Sequence, residues 1–501
     1  MRKMKIISTY IAAIVSIMLS SSLYADTYNT STHILIIPAI QSGLATYSDV
    51  SVDLGTDYQV TAVQASAASD LPILTVDNYD AFNNLLTIPL VSVGDQIYQN
   101  VEVKLGRTFQ VLSVGGCTGV GCSAATPVNV APLIVDNGPV SLLLPGQLVG
   151  STNVAFTTVT LCQPGTSNCQ NIDHVLVDTG SSGFRVISSQ LAQNLNLPAV
   201  MSSGKAVFEC LQYVSSFNWG SVNMADVKIA GEVASNIPIQ IINANSNNSV
   251  PRSCSRNGGA ATNTVDTFGA NGILGIGNLP YDCGDVCTTS PPIPAAYYSC
   301  SGNTCQSISL PLAQQVPNPI VRFSKDNNGS IIQLPEVPFA GASNVQGVLI
   351  FGIGTQSNNE LGNAKVITLG TNTLDANYNA FTTIYNGQKL TGSFVDSGTS
   401  AYYFSDSLLG SCSGLGSGYA CPKSNLSLTA TNQGLSSSST VNFDVANADM
   451  LFNNNYNATA FSNLAVQTAP GSSFDWGLPF FYGRSVFTGI QTSTSLPYIA
   501  Y

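Results

Sequence analysis

Along most of this chain apolar and polar residues alternate over short runs separated by Gly, Pro and Asn, and few stretches carry apolar residues at helical spacing. Val50, Val52 and Leu54, and later Val101, Val103 and Leu105, show the period of two expected of half-buried strands. Both sets lie in an ungapped repeat at an offset of 51 residues, Leu35 to Val63 against Leu86 to Val114. Pro38 and Pro89, Gly43 and Gly94, Tyr47 and Tyr98, and Gly55 and Gly106 coincide in it. Residues 26–125 are therefore expected to form a small duplicated β domain. Further on, "NVAFTTVTL" before Cys162 and "IDHVLVDTG" after it predict a hairpin. Two apolar strands then run into similar loops, "HVLVDTGSSGFRV" (His174 to Val186) and "GSFVDSGTSAYYF" (Gly392 to Phe404). Each is followed at a comparable distance by an apolar run broken by Gly, "NGILGIGNL" and "FDWGLPFFYGRSVF". The pattern predicts two related lobes, 130–360 and 361–501.

Length agrees with several domains, since 501 residues exceed one ordinary hydrophobic core. The first 25 residues read as a secretory signal peptide: Arg2, Lys3 and Lys5 precede an apolar run from Ile6 to Leu19, then small and polar residues. A membrane anchor is the competing reading, but the run is too short to span a bilayer, so no integral anchor is expected once the signal is removed. The expected fate is export. A net charge of -11 argues against nucleic acid or anionic lipid as a partner. The duplicated block carries only Lys104 and Arg107 against nine Asp or Glu, so it reads as an accessory domain and not as a basic pro-segment that docks on carboxylates.

Twelve cysteines in an exported chain imply disulfides. Cys117 with Cys122, Cys162 with Cys169, and Cys412 with Cys421 are expected as local staples, and Cys210 with Cys254 over a longer span. Cys283, Cys287, Cys300 and Cys305 have a spacing that superficially resembles a zinc site. Two disulfides of unassigned pairing are the preferred reading, and no metal is expected.

The two Asp loops carry the candidate chemistry. Asp, Ser or Thr, Gly, Ser or Thr can be an Asx-type turn whose carboxylate caps backbone N–H groups. Two copies, each at the end of an apolar strand, allow more. Gly lets each loop turn back, and the adjacent hydroxyls donate to the carboxylate. Two carboxylates face to face cannot both ionise readily, so the pair holds an acid and a base together. Such a dyad can activate water against an amide carbonyl while protonating the developing oxyanion.

On these motifs residues 130–501 resemble the pepsin-like aspartic peptidases, an all-β, bilobal acid-protease fold, here with the duplicated β domain in front. The resemblance implies Asp178 and Asp396 as the catalytic dyad, supported by Thr179, Gly180 and Ser181 in one loop and Ser397, Gly398 and Thr399 in the other. "NGILGIG" and "DWGLPFF" resemble the elements that support the loops, and "GVLIFGIGTQSNNELGNAKVITL" the segment that crosses between lobes. "QYVSSFNWGSVNMADVKIAGE" is similar to the flap hairpin, which makes Tyr213 the flap tyrosine. Two departures stand out: Val214 follows that Tyr where the family has Gly, and Arg185 occupies the place of a Trp that bonds the flap tyrosine. "DNNGSIIQLP", "FGIGTQSNN" and "GLPFFYGR" further resemble a narrower family of exported bacterial proteins, which implies a location in the periplasm, at the cell surface or in the medium.

Serine or cysteine hydrolysis is disfavoured because His33 and His174 are the only histidines. A glycosidase would also use two carboxylates, but aromatic sugar platforms linked to them are missing. The expected activity is an exported aspartic endopeptidase that acts on polypeptide without a cofactor. The alternative is a pepsin-fold binding or surface protein with little or no catalysis.

Overall fold

The computed structural model describes residues 129–139, 151–213, 216–243, 250–255, 259–289, 295–302, 304–356, 358–370 and 380–501, together with the backbone of eight strands between Thr27 and Gly115. The expected signal segment, Cys117, Cys122 and Val214 lie outside the described residues. The chain divides into two compact units, Met1–Pro132 and Leu133–Tyr501.

In the first unit the repeat is reproduced strand by strand. Ile34–Ser42, Ala45–Leu54 and Val60–Gln64 form one antiparallel meander, and Leu85–Val93, Gln96–Leu105 and Val111–Gly115 form another. Ile37 pairs with Val50 in the first and Ile88 with Val101 in the second, which preserves the 51-residue offset. The register shifts repeat as well, at Asp53/Leu54 and at Lys104/Leu105. Equal alternation selects equal register, because a slip of one residue would move every apolar side chain to the opposite face.

The second unit is all-β and bilobal. Its described α-helices are short, Arg252–Ser255, Val265–Phe268 and Ala448–Asn454. In the first lobe Ala155–Cys162 and Cys169–Asp178 form the expected hairpin, with Cys162 opposite Cys169. Cys169–Asp178 also pairs in parallel with Gly272–Ile276, which in turn pairs antiparallel with Ser182–Ile187. This brings the supporting strand directly beneath the first Asp loop. The second lobe repeats the arrangement: Phe394 and Val395 pair in parallel with Asp475 and Trp476, which lie antiparallel to Tyr402 and Tyr403. Gly275 and Gly477 are the notches through which the loops pass. A Cβ on Gly275 would lie 2.7 Å from Ser181 Oγ, and one on Gly477 2.2 Å from the Ala401 carbonyl.

Arg484–Gly489 and Tyr498–Ala500 leave the second-lobe sheet and pair with Gly329–Leu334 and Val366–Thr368. Two of the quoted strings meet here. Asn328 bonds both the N–H and the C=O of Ile353 at 2.8 Å, Asp326 accepts from the Thr355 hydroxyl, and Asn359 Oδ1 accepts from the Thr355 and Gln356 N–H groups. Behind the second Asp loop lies a cluster of Tyr385, Tyr402, Phe404, Phe443, Phe474 and Trp476, with Phe474 stacked on Trp476 at 4.2 Å. Burial of aromatics at this density fixes the loop's supporting strand.

Among the described residues five disulfides join Cys162–Cys169, Cys210–Cys254, Cys283–Cys287, Cys300–Cys305 and Cys412–Cys421. No helix among the described residues is long and apolar enough to cross a membrane.

Candidate active site

Each Asp loop first satisfies its own carboxylate. Asp178 Oδ1 accepts from Gly180 N at 2.7 Å, and its Oδ2 accepts from the Ser181 hydroxyl. Asp396 Oδ1 accepts from Gly398 N at 2.8 Å, and its Oδ2 from Thr399 Oγ1 at 2.8 Å. These are the bonds of an Asx-type turn, so that reading describes the interior of each loop correctly. It leaves the second set of bonds unexplained.

That second set runs between the lobes. Thr179 N donates to Ser397 Oγ at 3.1 Å, and Ser397 N donates to Thr179 Oγ1 at 2.9 Å. Thr179 Oγ1 donates to the Val395 carbonyl at 3.1 Å, and Ser397 Oγ to the Val177 carbonyl at 2.7 Å. Each hydroxyl thus accepts from the opposite loop and donates to the opposite strand. Thr179 and Ser397 are both buried, so these four bonds have no competing water. The lattice presses the loops together. A Cβ on Gly180 would stand 2.6 Å from Asp396 Cγ, and one on Gly398 2.6 Å from Asp178 Oδ1. Only glycine leaves room for the opposing carboxylate at either place.

The two carboxyl groups lie on either side of Gly398, whose Cβ would also stand 3.1 Å from Asp396 Oδ1. Burial, followed by the Asp178 charge and that of Asp475, holds the Asp396 carboxyl well above the usual carboxylate range. Two carboxyls this close do not both ionise readily, and the arrangement can therefore present a base and an acid side by side.

Tyr213 closes the hairpin of Lys205–Gln212 and Ser216–Ile229, its N–H donating to the Ser216 carbonyl at 2.8 Å. Its ring packs against Phe268 and the cluster of Phe156, Leu176, Ala270 and Ile273. Its hydroxyl donates to Asn218 Oδ1 at 2.7 Å, and Asn218 in turn donates to Thr262. Burial pushes the phenol well up, opposed by the Arg185 charge and reinforced by Asp178. The hairpin is also braced from outside: Cys210 is bonded to Cys254, Gln212 donates to the Cys254 carbonyl at 2.7 Å, and Ala260–Ala261 pairs with Ser216–Phe217.

Arg185 is wholly buried and makes no hydrogen bond to Tyr213. Its Nη2 lies 2.6 Å from Glu209 Oε1 and 3.6 Å from Asp282 Oδ2, while Nη1 donates to the Ser182 carbonyl at 2.9 Å. Burial, with Glu209 beside it, pushes the Asp282 carboxyl well up, and the Tyr297 hydroxyl donates to it at 2.7 Å. The guanidinium thereby clamps the end of the first Asp loop to a strand of the hairpin.

Several residues of the site carried no signal in the sequence. Asn153 is buried and donates to the Ser400 and Phe461 carbonyls at 2.8 Å, while accepting from Phe461 N at 2.7 Å and the Tyr482 hydroxyl at 2.9 Å. It ties the backbone beside Asp396 to the region before the first hairpin. Glu209 and Asp282 form the counter-charge of Arg185, and Asp475 places a third carboxyl beside the second loop. His174 stands apart from the dyad, its ring bonded to Asp136 at 3.2 Å and Asp173 at 2.8 Å.

Residues 125–501 match a family described as "Protein of unknown function (DUF3443)". The chain belongs to the DUF3443 family. Among solved structures, the crystal structure of aspartic proteinase from Irpex lacteus is similar to this DUF3443 chain at 16% identity and a TM-score of 0.43, covering 74% of this chain and 96% of that one. No curated protein matches it at a significant level.

Proposed function

We propose that this DUF3443 protein is an exported aspartic endopeptidase. The observation that carries the reading is the close approach of the Asp178 and Asp396 loops, held by the reciprocal bonds of Thr179 and Ser397 across the lobes. In the reaction, Asp396 carries the shared proton and Asp178 is the base. A water between them gives a proton to Asp178 as its oxygen attacks the peptide carbonyl carbon, and Asp396 protonates the carbonyl oxygen. The tetrahedral adduct then collapses: the C–N bond breaks, the amine takes the proton from Asp178, and Asp396 recovers its own. Ser181 and Thr399 fix which carboxylate oxygens face the water. The substrate is an extended polypeptide covered by the hairpin that carries Tyr213. Export is supported by the five disulfides and by the basic and apolar layout of residues 1–25.

The test is cleavage of an unfolded polypeptide by purified protein between about pH 2 and 7, with Asp178→Asn and Asp396→Asn as controls. Each substitution is expected to abolish cleavage in a folded protein. Cleavage that persists in both variants defeats the reading. Absence of cleavage in the parent at every pH, with peptide still bound, identifies a binding protein instead.

A further inference from the structure

The two Asp loops are fastened alike where they descend. In each, the supporting element donates to the carbonyl of the loop's fourth residue: Gly277 N to Ser181 at 2.7 Å in the first lobe, and Leu478 N to Thr399 at 2.7 Å in the second. The carbonyl of the fifth residue takes a side chain instead. Arg185 Nη1 donates to Ser182 at 2.9 Å, from three residues further along the same loop. Asn153 Nδ2 donates to Ser400 at 2.8 Å, from 247 residues earlier in the chain. The first loop is thus closed by its own lobe. The second is closed by a residue that leads into the hairpin of Ala155–Cys162 and Cys169–Asp178, the strand pair that ends in the first Asp.

The Asn153 amide has no bonding capacity to spare. A side-chain amide offers two N–H donors and an oxygen with two lone pairs. Both donors are used, on the Ser400 and Phe461 carbonyls at 2.8 Å, and the oxygen accepts from Phe461 N at 2.7 Å and from the Tyr482 hydroxyl at 2.9 Å. Two carbonyls on one side and an N–H on the other admit a single orientation. The Asn153 N–H itself donates to the Thr459 carbonyl at 2.7 Å, and its φ of 52° lies in the left-handed region, which Asn tolerates better than most residues. Only 1% of the residue is exposed, so no water replaces a bond that is lost. We infer that Asn153 is a positioning residue of the dyad, setting the separation of the two carboxyls by fastening the descending arm of the second Asp loop to the strand pair that carries the first. The connecting path is short and runs through backbone. Phe156, three residues after Asn153, pairs with Leu176, two residues before Asp178, and Ser400 stands four residues after Asp396. The consequence for rate rests on the peptidase reading, whereas the anchoring rests on the bonds alone.

Asn153→Gly removes the amide and leaves the left-handed backbone unstrained. Tyr482→Phe is the comparison, because it strips one bond from the same amide and leaves Ser400 held. Two readouts are taken on each with disulfides intact: steady-state cleavage of an unfolded polypeptide, and amide hydrogen exchange by NMR at Gly398 and Gly180, whose N–H groups bond to the two carboxylates. In Asn153→Gly kcat falls about 10–100-fold while KM stays within about twofold, because a displaced dyad slows the chemical step and the buried amide lies out of reach of substrate. Gly398 exchanges about tenfold faster or more, and Gly180 changes by less than about threefold. Tyr482→Phe moves neither kcat nor Gly398 exchange by more than about twofold. An unchanged kcat in Asn153→Gly overturns the inference, and so does an equal loss in Tyr482→Phe, which would assign the effect to general loosening. If Asn153→Gly does not fold, Asn153→Ser decides both readouts in the same way, since one hydroxyl proton cannot serve two carbonyls. Faster exchange at Gly398 in a protein whose parent cleaves nothing retains the anchor and rejects the peptidase. Cleavage by a parent whose Asn153→Gly variant keeps both its kcat and its Gly398 exchange does the reverse.

Discussion

Replacing Arg185 by Met tests whether the first Asp loop depends on a buried ion network. The guanidinium, Glu209 and Asp282 are all but inaccessible to solvent, with side-chain exposures of 0%, 0% and 2%. With Asp282 holding its proton, Arg185 and Glu209 balance, and the cluster is neutral. Methionine fills comparable volume but leaves one uncompensated negative charge, and breaking such a pair from one side costs about 3–5 kcal/mol. The loss has a defined pH dependence. The folded variant must bind an extra proton to restore neutrality, so its stability is fully present below the unfolded carboxylate value of about 4.3 and falls as pH rises, by at most about 1.4 kcal/mol per unit. The deficit against the parent should therefore be about 3–5 kcal/mol at pH 7 and about 1 kcal/mol near pH 4. Urea unfolding at those two pH values, with disulfides intact, measures both numbers. A deficit below about 1 kcal/mol at pH 7, or one equal at the two pH values, would refute the argument. Replacing Glu209 by Met in the same chain should recover most of the loss, because no charge is then stranded.

Thr179→Val should destabilise the protein by about 2–4 kcal/mol, since it strands the buried Ser397 N–H and Val395 carbonyl, while Thr179→Ser should cost less than about 1 kcal/mol; chemical denaturation of the pair separates the hydroxyl from the methyl. His174 is raised by its bond to Asp136, against burial, with Asp173 adding to the effect. Its stabilising contribution is thus fully present below an unfolded value of about 6.5 and is lost as pH rises through the folded one. Between pH 6 and 8 the parent should lose about 0.5–1 kcal/mol relative to His174→Gln, read from thermal melts across that range.

What could be read from the chain beforehand was whatever lies close together in it. The duplicated meander followed from local alternation, which fixes register within a hairpin, and the shared position of the register shifts is a direct copy of the sequence repeat. The Asp loops were legible because carboxylate, turn and hydroxyl fall within four residues of one another. Arg185, Glu209 and Asp282 were not, since their meeting is set by strand packing over 24 and 97 positions, and an isolated charge in an apolar run names no partner. Asn153 is a clearer case: it opens the run "NVAFTTVTL", which predicts a strand of a local hairpin, yet its partners stand 247 and 308 residues away. Asp475 lies inside an apolar run broken by Gly, and only its pairing with Phe394 sets it against Ile273. The four-residue helix at Val265–Phe268 is about one turn long, too short to show a period, and rests on the Thr264–Thr267 capping box.

The disulfides have a consequence for how the chain matures. In each of the five, a cysteine is bonded to the next one along the described chain, and four of the five close within ten residues. A polypeptide oxidised from its N-terminus as it emerges into an oxidising compartment would meet the correct partner first every time, before any competitor has arrived. Order of appearance alone then encodes the pairing over these ten cysteines, so a simple thiol oxidant suffices for them and a shuffling isomerase has nothing to correct.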